Sequence, residues 1–78
     1  MRVVTRGRFS VYVYAEYGQP HHQPHCDVRW SDGNAQVALP GLRLLAGDDL
    51  PAAARRLLRD EVDRISDAWT LLNPERPI

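Results

Sequence analysis

Between residues 8 and 16 apolar and polar positions alternate, with Phe9, Val11, Val13 and Ala15 on one side and Ser10, Tyr12, Tyr14 and Glu16 on the other. A period of two, with aromatic and β-branched residues on both sides, predicts a β-strand. Gly7 is a candidate bulge joining that strand to an upstream stretch at Val3 and Val4. The alternation stops where Gly18, Pro20 and Pro24 punctuate the chain, so residues 18–25 form a His/Pro loop that displays His21 and His22. Alternation then returns twice, over residues 26–31 and 34–39, on either side of Asp32-Gly33. That dipeptide suits a two-residue type I′ turn, which places Trp30 opposite Ala35, Val28 opposite Val37 and Cys26 opposite Leu39. All six are apolar and share a face. The other face carries His25, Asp27, Arg29, Gln36 and Ala38.

Pro40-Gly41 turns the chain again, and residues 42–45 predict a short fourth strand ended by Gly47-Asp48-Asp49. From Leu50-Pro51 the period changes. Ala54, Leu57, Leu58, Val62, Ile65, Ala68, Trp69 and Leu72 recur at three- and four-residue spacing, the stripe of a helix over about residues 51–72. The opposite side is Arg56, Arg59, Asp60, Asp63 and Asp67, with Asp60 and Arg64 spaced as an i,i+4 pair. Glu61 falls inside the apolar stripe, where it either reaches the rim of the sheet or pairs with an arginine there. Asn73-Pro74 stops the helix. The predicted fold is α+β: a three- to four-stranded antiparallel meander over about residues 8–45, with one long C-terminal helix packed on one face. The chain reads as a single domain, 1–78, with no repeat, linker or low-complexity tract.

Composition narrows the function classes. Ten arginines balance ten acids and there is no lysine. Residues 1–45 carry five Arg and three acids, and residues 46–78 five Arg and seven acids, so no basic stripe exists for indiscriminate phosphate binding. One cysteine, Cys26, permits no internal disulfide, and no run approaches the ~18 apolar residues of a membrane span. With no apolar leader segment visible at the N-terminus, a cytoplasmic protein without membrane contact is expected.

The candidate chemistry gathers at His22, His25, Asp27 and Arg29. Strand geometry sets His25, Asp27 and Arg29 on one face, each about 7 Å from the next. Histidine is the commonest acid–base side chain, Asp27 could fix the tautomer of His25, and Arg29 could hold a phosphate, a workable acid–base site for phosphodiester chemistry. The bland alternative is a solvated polar strand face beside a stiff loop. A metal site is another alternative: His22, His25 and Asp27 could form an open three-ligand set, although Cys26 points to the core face and cannot complete a closed one. The expectation adopted is a site without metal or other cofactor. Tyr12 and Tyr14, on the face opposite Phe9 and Val11, are candidate binding residues together with His21 and Gln36, because exposed tyrosines beside arginine suit interfaces and base stacking. Trp30 and Trp69 read as core.

The order of these features resembles a family of small bacterial proteins catalogued as a domain of unknown function. The resemblance rests on an aromatic strand, His22-x-Pro24-His25, Ala35-x-Val37, Leu44-Leu45-x-Gly47, Leu50-Pro51 and a helix carrying Trp69, over roughly residues 9–72. The family is marked by a His-Pro-Pro-His-Phe-His-like signature. Here Gln23 replaces a proline, Cys26 the aromatic and Asp27 the last histidine. Members often lie in two-gene cassettes resembling toxin–antitoxin modules, which implies a small cognate protein partner. The expected function is accordingly a component of such a module, cleaving or binding RNA without metal through the polar sheet face around His25. The alternative is a non-catalytic module whose polar face and His-rich loop bind a partner protein, and a homodimer is a further expected state.

Overall fold

The computed structural model describes residues 1–16 and 23–78. Along the chain they form β1 (Arg2–Arg6), β2 (Phe9–Tyr12), β3 (His25–Trp30), β4 (Gly33–Ala38), β5 (Leu44–Gly47) and α1 (Ala52–Leu72). The strands build one antiparallel sheet in the order β1-β2-β3-β4-β5, each hydrogen-bonded to its sequence neighbour. The fold is therefore α+β as expected, but with five strands among the described residues where the periodicity predicts three or four.

The additional strand is β1. It pairs with β2 through a two-residue turn at Gly7-Arg8, with Arg6 opposite Phe9. Gly7 takes φ +58° while Arg8 does not turn positive, the pattern of a type II′ hairpin, so Gly7 is a turn residue and the register irregularity lies between Arg2 and Val4 instead. The strand β2 is shorter than the alternation suggests, although Val13 still donates its N–H to the Met1 carbonyl at 2.9 Å. The last strand begins two residues later than predicted because the turn after β4 is wider. Leu42, at φ 63°, donates its N–H to the Ala38 carbonyl, and the Ala38 N–H in turn donates to the Arg43 carbonyl. At its far end β5 approaches β4 so closely that a Cβ on Gly47 would fall 2.5 Å from the Asn34 carbonyl oxygen.

The β3–β4 hairpin keeps the predicted faces but not the predicted pairs. Val28 faces Ala35, Cys26 faces Val37 and Trp30 faces Gly33, a shift of two residues that makes Ser31-Asp32 the turn. Neither turn residue has positive φ, so the turn is not of the mirror-image type. The reason lies in Trp30: its indole packs over Gly33, where a Cβ would sit 2.6 Å from the ring. Only glycine can stand opposite it, so Gly33 serves as a strand residue rather than a turn residue. Because a two-residue shift preserves side-chain direction, the core face survives.

That face is covered by α1. Val11, Val13, Cys26, Val28, Ala35, Val37 and Leu39 pack with Ala54, Leu57, Leu58, Ile65, Ala68 and Trp69 in one buried cluster, while Trp30 and Leu72 flank it half-buried. Burial of each large side chain contributes roughly 1.5–3 kcal/mol, which is how a chain this short offsets its ordering entropy. Arg6 ties the edge strand β1 to the helix: it is 2.9 Å from Asp60 and 3.7 Å from Glu61. Glu61 thus pairs at the rim, and Asp60 takes Arg6 as its partner rather than Arg64. Among the described residues no helix is long and apolar enough to cross a membrane.

Cys26 is buried in this core, and its thiol is pushed up from 9.0 to about 12, first by burial and second by the adjacent Asp27 charge. The unfolded thiol ionises above about 9 while the folded one stays protonated, so this contribution to stability is complete below pH 9 and is lost as pH rises toward 12. Thiol-reactive reagents at pH 8 should label Cys26 only in denaturant. Rapid labelling of the folded protein would show that β3 does not sit under the helix.

Candidate functional site

One face of the sheet carries the helix, and among the described residues no element covers the other. On it, antiparallel pairing sets Tyr12 opposite Asp27 and Ser10 opposite Arg29 on one side of β3. On the other side Asp27 faces Gln36, and Arg29 faces Asn34. The sequence therefore lays two cross-strand rows, Tyr12–Asp27–Gln36 and Ser10–Arg29–Asn34, side by side. Directly opposed residues in such rows lie about 4.5–5.5 Å apart, within reach of one ligand.

The rows are organised by aromatic contacts. Tyr12 and Tyr14 lie parallel, their rings inclined by 2° with centroids 6.2 Å apart. The Arg29 guanidinium lies over both, 4.8 Å from the Tyr12 ring centre and 5.9 Å from that of Tyr14. Arg29 is exposed and Tyr14 is 36% exposed, so this cation–π stack faces solvent. Beside it the β3–β4 hairpin forms a concavity of about 490 Å³, lined among others by Asp27, Arg29, Asn34 and Gln36. Into this region falls an anomaly: Asp27 Oδ1 is buried yet has no hydrogen-bond partner among the described residues.

His25 stands apart from this arrangement. Strand alternation places it on the polar face with Asp27 and Arg29, but its side chain is only 11% exposed, and its ring centre lies 5.4 Å from that of Trp69 on the helix. Nδ1 donates to the Gln23 carbonyl at 2.9 Å, since a carbonyl only accepts. Nε2 lies 3.3 Å from a carboxylate oxygen of Glu16, an ion pair whenever the ring is protonated. The expected orienting role of Asp27 therefore falls geometrically to Glu16, a residue that the spacing of the His/Asp cluster gives no reason to select. His21 and His22 lie outside the described residues. Among the described residues no three of His, Cys, Asp and Glu converge to hold a metal ion.

Glu16 is itself positioned from the helix. Its backbone N–H donates to Asn73 Oδ1 at 2.7 Å, while Asn73 Nδ2 donates to the Tyr14 carbonyl at 3.0 Å. The fully buried Asn73 side chain thus clamps the segment that carries both Tyr14 and Glu16.

Fold and site together define a small α+β domain with an open sheet face bearing a tyrosine–arginine stack. The chain belongs to the family described as Domain of unknown function (DUF4160), whose model matches residues 9–69, from the start of β2 to Trp69. Neither a curated protein nor a solved structure matches the chain.

Proposed function

We propose that this chain is the protein component of a bacterial toxin–antitoxin-like two-gene module, acting in the cytoplasm, and that it binds single-stranded RNA on the open face of its sheet. One observation carries the RNA reading: the stacked Tyr12 and Tyr14 pair under Arg29, on the sheet face opposite α1. Bases without a duplex partner stack on such aromatic platforms and on guanidinium planes, each stack contributing about 1–3 kcal/mol, and an antiparallel sheet offers a flat support for several. The module itself is supported by the resemblance of the sequence to a family whose members often lie in such two-gene cassettes. Cleavage is not part of this reading. The acid–base set of His25 with Asp27 is not assembled, and His25 faces Glu16 and Trp69 instead.

A second reading is favoured by the formal net charge of zero, which suits a protein surface better than a polyanion. In it the same tyrosines and Arg29 are the anchors for a cognate small protein. Fluorescence anisotropy separates the two. A labelled oligouridylate of about eight nucleotides should bind the wild-type protein, and the Tyr12→Ala/Tyr14→Ala variant should bind at least about tenfold more weakly, with an unchanged circular dichroism spectrum. Absence of RNA binding, with capture of the neighbouring gene's product by wild type and not by the double variant, would replace the RNA reading with the protein one.

A further inference from the structure

We infer that Asp27 and Gln36 select guanine: the open face, if it holds RNA as proposed above, takes a guanine base in the concavity between β3 and β4. The starting point is the orphaned acceptor. A buried carboxylate oxygen without a donor is costly, and native proteins rarely leave one unless something outside the chain completes it. Asp27 Oδ1 is such an atom, and Asp27 lines the 490 Å³ concavity of the open face. The terminal torsion of aspartate is soft, so a turn of the carboxylate that presents both oxygens to the concavity would let one ligand with two adjacent donors satisfy them together. The missing group is a donor, which excludes phosphate, sulfate and carboxylate ligands.

The neighbours specify the donor further. Gln36 is the direct cross-strand partner of Asp27, exposed, and on the same face. Its side-chain amide offers two N–H donors and one acceptor. Arg29, two residues along β3, lines the same concavity and presents its guanidinium plane over the tyrosines. A ligand matching this set has two adjacent N–H groups for the carboxylate, an acceptor next to them for Gln36, and a flat π face for Arg29. The Watson–Crick edge of guanine has that order, with N2–H and N1–H followed by O6. Adenine and cytosine each present a single amino donor flanked by a ring acceptor, and uracil a single ring N–H between two carbonyls. Their acceptors would face the Asp27 charge.

The test uses the full chain and oligouridylates in which one central residue is replaced by guanosine, adenosine or cytidine. The guanosine oligomer should bind about tenfold tighter or more than the other three, the discrimination given by one good bidentate pair. Asp27→Asn should bring the guanosine oligomer and plain oligouridylate to the same affinity, because asparagine turns an N–H donor toward a donor of the base. Gln36→Glu, at an exposed position, should also remove the preference by placing a charge against O6. Equal affinity for all four oligomers, a preference for adenosine or cytidine, or an undiminished guanosine preference in both variants would overturn the guanine assignment while leaving the RNA reading intact. Failure of every oligomer to bind would overturn both.

Discussion

Trp69→Ala is expected to unfold most of the population at 25 °C, with a loss of about 3–5 kcal/mol in urea denaturation followed by circular dichroism. The side chain is fully buried in the helix–sheet contact, and truncation leaves a cavity that its thirteen backbone-anchored neighbours in the core cluster cannot close completely. The Nε1–H also donates to the Arg76 carbonyl at 2.7 Å, so the variant loses the bond that folds the C-terminal segment back on the helix. Against a total of roughly 5 kcal/mol for a domain of this size, little stability remains. The same ring supports His25, so a stabilised background carrying Trp69→Ala should show a more exposed and mobile imidazole by NMR. A loss below 1 kcal/mol would mean that α1 packs on another surface.

Asn73→Ala is expected to cost about 3 kcal/mol by the same measurement, unusually much for a polar residue at a helix terminus. The amide accepts from the Glu16 N–H and donates to the Tyr14 and Trp69 carbonyls at 3.0 and 3.1 Å. Alanine removes all three bonds and strands the Glu16 donor and the Tyr14 acceptor in a region that water reaches poorly. Each such group costs about 1–3 kcal/mol. Because the clamp positions Tyr14, the variant should also weaken RNA binding under conditions where it remains folded. A loss no larger than that of an ordinary exposed cap, about 1 kcal/mol, would show that the segment after β2 is held elsewhere.

Those two residues also mark where sequence reasoning succeeds and where it stops. Trp69 is recognisable because three- and four-residue spacing places it on a stripe with Leu58 and Ile65, and periodicity is a local signal. Asn73 is recognisable only as a helix stop. Its partners at Glu16 and Tyr14 lie 57 and 59 residues away, and nothing in the local pattern reports them. The same contrast runs through the site. Tyr12, Tyr14, Asp27, Arg29 and Gln36 share the open face because strand alternation dictates it. His25 leaves that set because it opens β3, where contacts with Trp69 and Glu16 outweigh alternation. The hairpin shows how a local rule can mislead. Asp32-Gly33 has the chemistry of a mirror-image turn, yet the bulk of Trp30 claims the glycine and moves the pairing by two residues. Strand β1 is legible only as an upstream stretch at Val3 and Val4 and not as a separate strand, because five residues interrupted by a register shift carry too little alternation.

An open five-stranded sheet has two lateral borders with unpaired backbone groups, and they are defended unequally. The border at β1 carries Arg2 and Arg6, has an irregular register near Val3, and is strapped to the helix through Asp60 and Glu61. Charge, distortion and covering are the devices by which natural sheets prevent chains from adding to one another edge to edge. The border at β5 runs Leu44, Leu45, Ala46 and Gly47, with no charge inside the strand and with Leu44 exposed. Its protection is brevity, four residues ending at the left-handed Gly47. Lengthening that strand, or removing the glycine that terminates it, would turn a harmless margin into a template for self-assembly.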